Sequence, residues 1–329
     1  MTQLPHQHLN DQVAGTRAWT ASTLDDRASW YCPLPPTGKE ILGRTLTELR
    51  RKPRAITELM LPEPERAALA LALAPIHKAL EWGRGFAILT ALEIDRLASS
   101  EAQAIYWLLG QAIGDPFAQN AQGTLLYDVR DTGQNVAQGA RFSVTSAEST
   151  FHTDNSFGLE VLDYVGLLCL QTARSGGVNQ VVSAYAVHNL LLDSEPEALE
   201  LLYQPFHVDR RGGLKPGELP TVEQPVFSWD GRDLTVRYLR YWIEAGHAKA
   251  GQPLTAEQVR ALDVLDNALR QTALCAEFGL RRGEIWFMNN RWLLHNRTAF
   301  EDHPDPEHKR HLVRVWLKRR RDAVPGPVA

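Results

Sequence analysis

The chain has 329 residues, a formal net charge of −4 and 44% hydrophobic residues, an ordinary composition for a globular protein with a sizeable core. The small negative charge gives no electrostatic footprint for nucleic acid. The N-terminus lacks the basic start and apolar run of a signal peptide, and no apolar stretch approaches the length of a membrane span. We therefore expect a cytoplasmic protein with neither a nucleic-acid nor a membrane partner, and leave homo-oligomerisation open.

The first 60 residues differ in composition from the rest of the chain. They are rich in Pro, Thr and Arg and contain isolated aromatic residues at Trp19, Trp30 and Tyr31. We interpret residues 1–60 as an irregular N-terminal arm that packs on the core through these aromatic side chains. Residues 61–329 are then predicted to form a single domain.

Three later segments show the patterns of helices. From Pro62 to Trp82, alanines and spaced leucines predict a helix that bends near Pro75. Residues 100–103 have the pattern of a capping box that opens a second helix, and Gly114 ends it. Residues 255–258 form another capping box, and the leucine spacing after it predicts a third helix.

Beyond Pro116 the chain changes to short β-prone segments separated by glycine and polar turns. This spacing favours an antiparallel barrel or sandwich, and Asp230-Gly231 predicts a hairpin between two of the segments. A double-stranded β-helix (jelly roll) core with flanking helices fits this order, so we predict an α+β, mainly β, fold. The predicted strands comprise residues 125–129, 142–145, 164–171, 181–183, 206–208, 225–229, 284–288 and 311–317.

His152 and Asp154 form the motif that carries most of the functional argument. On an extended segment, the i, i+2 spacing points an imidazole and a carboxylate to the same face, and His295 would supply a third ligand. Two histidines and one carboxylate form the facial triad typical of non-haem Fe(II) oxygenases, which leaves open positions for a co-substrate and for dioxygen. A structural zinc site would instead show close Cys or His pairs. A His-x-Asp pair alone is common, and its weight comes from the motifs that accompany it.

The last of these motifs is the alternating segment that follows Lys309. Its apolar residues predict a strand that carries Arg310 and Arg314 on one face. If that face met solvent, the arginines would need no explanation. Inside a barrel, however, an arginine requires an anion, because a buried unpaired charge is costly and a guanidinium–carboxylate pair resolves it. The segment therefore predicts an anion beside the metal.

Together, the His152-Thr153-Asp154 motif, residues 290–297 and Arg310-His311-Leu312 resemble the taurine-dioxygenase-like (TauD/TfdA) Fe(II)/2-oxoglutarate dioxygenases, including the γ-butyrobetaine and trimethyllysine hydroxylase branch. The resemblance extends from about Gly83 to Leu317. It implies a jelly-roll fold, Fe(2+) held by the two histidines and the aspartate, 2-oxoglutarate as co-substrate, and O2. The residues between the ligand motifs would form the remaining strands and a helical insert.

The resemblance also implies which residues bind the co-substrate. Arg310 would hold the distal carboxylate of 2-oxoglutarate, and Arg314 would lie nearby as a second cation or a substrate contact. Many members follow a Gly-Gly pair with a threonine that helps to bind 2-oxoglutarate, whereas Gly176-Gly177 is followed here by Val178-Asn179. Asn179 is therefore the candidate to replace that threonine.

Four further residues are candidates for binding the primary substrate. Arg141 and Arg237 lie in segments that can reach the mouth of a barrel, beside the aromatic residues Phe157 and Tyr238. A cation would orient a carboxylate or sulfonate, and the aromatic rings would exclude water from the reacting carbon. If each arginine instead packs its stem on the surface, it has no such role.

These observations predict an Fe(II)- and 2-oxoglutarate-dependent dioxygenase. We expect it to hydroxylate a C–H bond of a small polar metabolite, such as an amino acid or related acid, with release of succinate and CO2. Desaturation, epoxidation or oxidative cleavage would use the same ligands. The alternatives are a catalytically silent jelly-roll protein that binds a small molecule or a partner, and a metal hydrolase of related barrel shape.

Overall fold

The protein is described by a computed structural model that covers residues 8–24, 26–134, 141–211, 214 and 217–320. Within these ranges the architecture is mixed α/β. The helices are α1 (Pro36–Arg51), α2 (Glu63–Ala72), α3 (Ala74–Trp82), α4 (Ser99–Ile113), α5 (Ala184–Ser194), α6 (Pro196–Leu202), α7 (Arg240–Ala250) and α8 (Ala256–Leu269). The strands are β1 (Tyr31–Pro33), β2 (Phe86–Thr90), β3 (Asp115–Phe117), β4 (Leu126–Val129), β5 (Tyr164–Gln171), β6 (Ser175–Gly176), β7 (Asn179–Ser183), β8 (Phe206–Asp209), β9 (Thr221–Gln224), β10 (Phe227–Trp229), β11 (Leu234–Val236), β12 (Cys275–Phe278), β13 (Ile285–Asn289), β14 (Leu293–Arg297), β15 (Phe300–Glu301) and β16 (His311–Lys318).

The larger sheet has seven strands and separates two hydrophobic cores. Its order is β1-β2-β13-β5-β16-β3, with β4 paired to β16. Because side chains alternate between the faces of a strand, Val313, Val315 and Leu317 of β16 pack in the core shared with α1–α4. Leu312 and Trp316 lie in the second core, on the other face. The face predicted to carry the arginines is thus the one turned away from these helices.

A smaller sheet, ordered β12-β7-β14, packs against that second face. Phe278 of β12 contacts Phe86 of β2 and Trp286 of β13, with ring centroids 5.8 Å and 5.0 Å apart. Aromatic pairs at such distances add packing energy beyond the area they bury. The two sheets are therefore held together by one apolar core, and β14 brings His295 into it.

The prediction that residues 1–60 form an irregular arm is wrong for Pro36–Arg51, which form helix α1. Pro36 occupies the first turn of α1, where its missing N–H costs no hydrogen bond. Ile41, Leu42 and Leu46 then form a buried face that packs with α2 and α4. Trp19 and Trp30 are buried in the second core, as the sequence predicted for the aromatic residues of this segment.

Most of the other predicted elements are confirmed, with three local corrections. Helix α4 begins at Ser99, and Glu101 accepts from the amide of the N-cap residue Ala98 at 3.0 Å, so residues 100–103 do not form the predicted capping box. The segment 62–82 forms two helices that meet at Leu73, and Pro75 lies in the first turn of α3. Residues 142–144 form a 3-10 turn in place of the predicted strand. The Asp230-Gly231 hairpin joins β10 to β11. No helix in the described part of the chain is long and apolar enough to span a membrane.

Helix α7 approaches β8 unusually closely. A methyl group at Gly246 would collide with the carbonyl oxygen of His207, so the two backbones can touch only because position 246 has no side chain. The contact fixes the start of α7, with Trp242, beside the chain that leaves β8 at Asp209. Both segments line the functional site described below.

We predict that Gly246→Ala lowers the free energy of unfolding by about 1–3 kcal/mol, because the added methyl group overpacks this contact. Gly43→Ala is the matched control, since the exposed Gly43 on α1 has no atom within 4 Å of the added methyl group. It should raise the free energy of unfolding by about 0.5–1 kcal/mol through helix propensity. Urea unfolding measures both changes, and a neutral Gly246→Ala would contradict the packing.

Candidate metal centre and its two cavities

The backbone brings His152 and His295 side by side. The His152 amide donates to the His295 carbonyl at 3.0 Å, and the His295 amide donates to the His152 carbonyl at 2.9 Å. Through this isolated bridge, His152 pairs with β14 on the edge opposite β7. One ligand atom from each of His152, Asp154 and His295 lies within 4.8 Å of the others. The three residues singled out in the sequence thus converge on one point.

The two imidazoles are arranged as metal ligands would be. Nδ1 of His152 lies 2.7 Å from the carbonyl oxygen of Thr150. Because a carbonyl can only accept, Nδ1 carries the proton and Nε2 keeps a free lone pair. Nδ1 of His295 is buried and has no hydrogen-bond partner in the described ranges. Burial lowers the pKa of both rings, that of His295 to about 3, which keeps them neutral and able to bind a metal.

Asp154 is held from several sides. Its carboxylate accepts hydrogen bonds from the Arg314 guanidinium at 3.1 Å and from Trp316 Nε1 at 2.8 Å. Its backbone amide donates to the Asn290 side chain at 2.8 Å, and the Asn290 amide donates back to its carbonyl at 2.9 Å. Burial raises the pKa of Asp154, but Arg314 and the two histidines outweigh burial, so the pKa lies below its ordinary value. The centre therefore offers two neutral imidazoles and one ionised carboxylate.

This donor set fits Fe(II). Two imidazoles and one carboxylate on one side of a point form the facial triad, and the remaining positions face open space. His152 and Arg314 line two separate cavities, one on each side of the centre. A small molecule in either cavity would therefore contact the metal position.

The smaller cavity contains Arg310. It has a volume of about 80 Å³, several times the ~10–15 Å³ that one water molecule needs. The Arg310 guanidinium lies 5.0 Å from the centre of the Phe300 ring and makes no hydrogen bond with a described residue. Asp302 accepts from the Arg310 backbone amide, not from the guanidinium. Burial lowers the pKa of Arg310 to about 10, although the Asp302 carboxylate acts in the opposite direction. The guanidinium forms no ion pair with a described carboxylate.

Arg297 is a second, half-buried cation in the smaller cavity, which the sequence analysis did not identify. Its guanidinium lies 4.6 Å from the centre of the Phe300 ring, and its Nη1 is buried without a hydrogen-bond partner in the described ranges. Burial and the charge of Arg310 lower the pKa of Arg297 to about 10. A buried and a half-buried guanidinium group lie beside one ring, and neither forms an ion pair with a described carboxylate. A bound anion would stabilise both, so the smaller cavity is suited to a carboxylate.

Asn179 and the glycine pair contribute to the same cavity. Gly176 and Gly177 have φ values of 72° and 66°, which favour glycine. A methyl group at Gly177 would lie 3.3 Å from Nε of Arg310, so the glycine leaves room for the arginine. Asn179 lines the cavity but donates its side-chain amide to the Phe278 carbonyl at 3.2 Å. Its oxygen faces a cavity that also receives the Trp286 indole, whose Nε1 is buried and unpaired among the described residues.

The larger cavity receives two of the four predicted substrate residues. Arg141 and Phe157 line it, together with residues that sequence reasoning missed. The missed residues that face this cavity are Arg211, Leu239, Tyr241, Trp242 and Trp316. The Arg-Tyr-Trp run at residues 240–242 was a signal for the aromatic side chains, but only the α7–β8 contact shows which of them reach the site.

The prediction that Arg237 and Tyr238 line the substrate cavity is wrong. Arg237 donates to the Gly158 carbonyl and supports the turn after the metal motif. The Tyr238 hydroxyl donates to Asp266 of α8 at 2.7 Å, and its backbone pairs with Thr153. The error arises because side chains alternate between the two sides of an extended segment. Which side faces the cavity cannot be told without the residues that pack against the segment.

Trp316→Phe should weaken binding of Mn(II) or Co(II) by about tenfold or more, because it removes the N–H donor that orients the Asp154 carboxylate. Calorimetric titration of the metal-free protein measures this. Trp229→Phe, on β10 and outside both cavities, is the control. Unchanged metal affinity in Trp316→Phe would remove this contact from the metal site.

Tyr238→Phe should lower the free energy of unfolding by about 1 kcal/mol, because it removes the hydrogen bond to Asp266. The Michaelis constant for the primary substrate should stay unchanged. Tyr241→Phe, whose side chain is exposed and lines the cavity, is the matched variant and should leave stability unchanged. A changed Michaelis constant in Tyr238→Phe at unchanged stability would restore its predicted role.

Comparison with known proteins agrees with this site. A family model described as "Taurine catabolism dioxygenase TauD, TfdA family" matches residues 46–316. The chain is 28% identical to FR-33289 synthase of Streptomyces rubellomurinus, with 94% of this chain and 91% of that protein covered. It is 30% identical to L-asparagine oxygenase of Streptomyces coelicolor, with 71% and 67% covered.

Among solved structures, the fold is similar to that of asparagine oxygenase in complex with Fe(II), 2S,3S-3-hydroxyasparagine and succinate. The TM-score is 0.66 at 20% identity, and the match covers 88% of this chain and 93% of that chain. The chain therefore belongs to the taurine catabolism dioxygenase TauD, TfdA family, and is an Fe(II)- and 2-oxoglutarate-dependent dioxygenase.

Proposed function

We propose that this dioxygenase hydroxylates a C–H bond of a small acid, of the amino-acid type, and converts 2-oxoglutarate to succinate and CO2. One observation supports this most directly. The cluster of His152, Asp154 and His295 lies between two cavities, and each cavity contains arginines that form no ion pair with a described carboxylate. Such a site suits two anionic small molecules that meet at one metal.

His152, Asp154 and His295 are the proposed ligands of Fe(II). Bound iron supplies the activation of dioxygen and the oxidising power for the C–H bond. The chain keeps the two imidazoles neutral and fixes the carboxylate through Arg314 and Trp316. Arg314 would therefore act first on the metal ligand Asp154, and Gln119 fixes its position by accepting from Nε at 2.8 Å.

The smaller cavity is the proposed site of 2-oxoglutarate. Arg310 would pair with the distal carboxylate, and Arg297, whose guanidinium lies near the same Phe300 ring, would add a second cation. The unpaired Nε1 of Trp286 is a further donor toward the same molecule. Asn179 would take the place of the threonine found in many relatives. With these donors, the two arginines gain an anion that stabilises them.

The larger cavity is the proposed site of the primary substrate. Phe157, Tyr241 and Trp242 exclude water, and Arg141 supplies a charge to orient an acid. Two relatives are named for their action on asparagine, which supports an amino-acid substrate. The proposal includes the fold, in which the two sheets form the two walls of a double-stranded β-helix, and a single catalytic domain over residues 61–329.

The test is release of succinate from 2-oxoglutarate by the full-length protein with ferrous iron and dioxygen. A panel of acidic, zwitterionic, cationic and neutral small molecules is screened for stimulation, and mass spectrometry detects products that have gained one oxygen atom. We expect stimulation by amino acids or related acids. A catalytically silent binding protein would release no succinate, and a metal hydrolase would act without 2-oxoglutarate. Stimulation only by neutral or cationic compounds would contradict the substrate class.

Arg310→Leu should raise the Michaelis constant for 2-oxoglutarate by about ten- to a hundredfold, because a charge-assisted hydrogen bond is lost. The constant for the primary substrate should change much less. Arg260→Gln is the control, since Arg260 pairs with Glu195 on the surface. Arg314→Leu should instead weaken metal binding. If Arg314→Leu raises the Michaelis constant for 2-oxoglutarate and Arg310→Leu does not, the two roles are reversed.

A further inference from the structure

Arg211 projects into the larger cavity at the end of strand β8. Its guanidinium lies 3.6 Å from the centre of the Trp242 ring. Its Nε is buried and has no hydrogen-bond partner among the described residues. Since a buried guanidinium donor is costly when left unpaired, this arginine is prepared for a partner that the chain itself does not provide.

The nearest carboxylate is already engaged. Asp209 accepts a hydrogen bond from the Arg211 backbone amide at 2.9 Å and pairs with Lys249 at 2.8 Å. The backbone of Arg211 has a φ value of 64°, which is rare for a residue with a side chain. Arg211 thus has a left-handed backbone conformation that the hydrogen bond to Asp209 stabilises, and its side chain lines the cavity. A strained backbone of this kind persists only where the surrounding contacts stabilise it, and such residues are concentrated at functional sites.

Arg141 faces the same end of the cavity. Its side chain makes no hydrogen bond or ion pair with any residue that the structure describes, and it lines the cavity with Arg211. Burial and the charge of Arg141 lower the pKa of Arg211, so the two guanidinium groups are close enough to repel each other. Two cations that face one space, neither of them ion-paired to a described carboxylate, are stabilised when an anion binds there.

The charges of the lining give the expected charge of that anion. The side chains that line the larger cavity include three arginines, Arg141, Arg211 and Arg314, and one carboxylate, Asp154. Arg314 and Asp154 neutralise each other at the metal centre, with 3.1 Å between them. The two remaining positive charges are those of Arg141 and Arg211, with Arg211 over the Trp242 ring. A group with two negative charges would balance them.

We infer that the Arg141–Arg211 end of the larger cavity binds a dianionic oxyanion group of the primary substrate, a phosphate monoester or a phosphonate. The inference rests on the proposed function, because it takes the larger cavity to be the substrate side. The substrate is then an acid that places this group between the two guanidinium forks and its reacting carbon near the metal. Trp242 forms the apolar wall on which Arg211 stacks, which limits the rotation of the guanidinium.

The test is calorimetric binding of amino-acid probes to the metal-free full-length protein. The pH is well above the second phosphate pKa of about 6, so that the phosphonate, which is the weaker second acid, is also a dianion. The probes are O-phospho-L-serine, 2-amino-4-phosphonobutyrate, L-glutamate and L-serine. We expect the phosphate or the phosphonate probe to bind at least tenfold more tightly than L-glutamate, and L-serine to bind most weakly. The phosphate and phosphonate arms distinguish the two sources of the dianion. Equal affinity for L-glutamate and both dianionic probes would overturn the inference.

Arg211→Gln and Arg141→Gln should each weaken binding of the preferred dianionic probe by about tenfold or more, the loss expected for one charge-assisted contact. Arg211→Lys should recover part of the affinity, because it keeps the charge but not the fork. Arg260→Gln, on the exposed surface of α8, should bind like wild type. If Arg211→Gln unfolds, Arg141→Gln alone decides, because Arg141 has an ordinary φ value of −74°. Unchanged affinity in Arg141→Gln would overturn the inference.

The outcome is separate from the proposed function. Binding to metal-free protein requires neither iron nor turnover, so it reports on the two arginines alone. Failure of the proposed function would appear as absence of succinate release from wild type with every compound of the screen. Failure of this inference would appear as succinate release that carboxylate or neutral amino acids stimulate as well as the dianionic probes do.

Discussion

The Asp154 carboxylate is the interaction on which the rest of the site depends. It is buried, yet ionised, because Arg314 and Trp316 from one strand donate to it at 3.1 Å and 2.8 Å. Both donors lie on the same face of β16, two residues apart, so a shift of β16 by one residue would remove both at once. The seven residue pairs between β16 and β5 therefore fix the electrostatics of the metal centre. The same strand places Arg310 in the smaller cavity.

Charge divides the site into two halves with different partners. Arg310 and Arg297 surround Phe300 on one side of the centre, while Arg141 and Arg211 face the cavity on the other. Arg310 is buried and the other three arginines are half-buried, and none of the four forms an ion pair with a described carboxylate. Charges placed in this way reduce the stability of the fold. Bound anions would offset this loss of stability. Binding of each small molecule should therefore stabilise the folded protein.

Sequence reasoning identified the residues whose spacing has a direct geometric meaning. The i, i+2 pair of His152 and Asp154 and the alternation of β16 both follow from the two-residue period of a strand, and the structure brings these residues together with His295. Arg237 and Tyr238 failed because the side of an isolated segment that faces the site depends on partners far along the chain, here Gly158 and Asp266. Arg211 was missed because a left-handed backbone after β8 has no signature when the residue is not glycine.

Helix α1 shows a different limit. Its buried face of Ile41, Leu42 and Leu46 is short, and neighbouring prolines and threonines conceal it in the sequence. Its helical structure depends on packing with α2 and α4 more than on propensity. By contrast, the helix from Thr255 has both partners of its capping box in place, with Thr255 and Gln258 bonded reciprocally at 3.0 Å and 3.2 Å. This capping box was therefore predicted correctly, whereas the one predicted at residues 100–103 was not, because α4 begins two residues earlier, after Ala98.

The most direct test of this account is a crystal structure of the protein with Fe(II) and 2-oxoglutarate, prepared without oxygen. We predict iron bound by His152, Asp154 and His295, with the distal carboxylate of 2-oxoglutarate against Arg310 in the smaller cavity. Asp154 should keep its hydrogen bonds from Arg314 and Trp316. Iron at another position, or 2-oxoglutarate in the larger cavity against Arg211, would contradict the account.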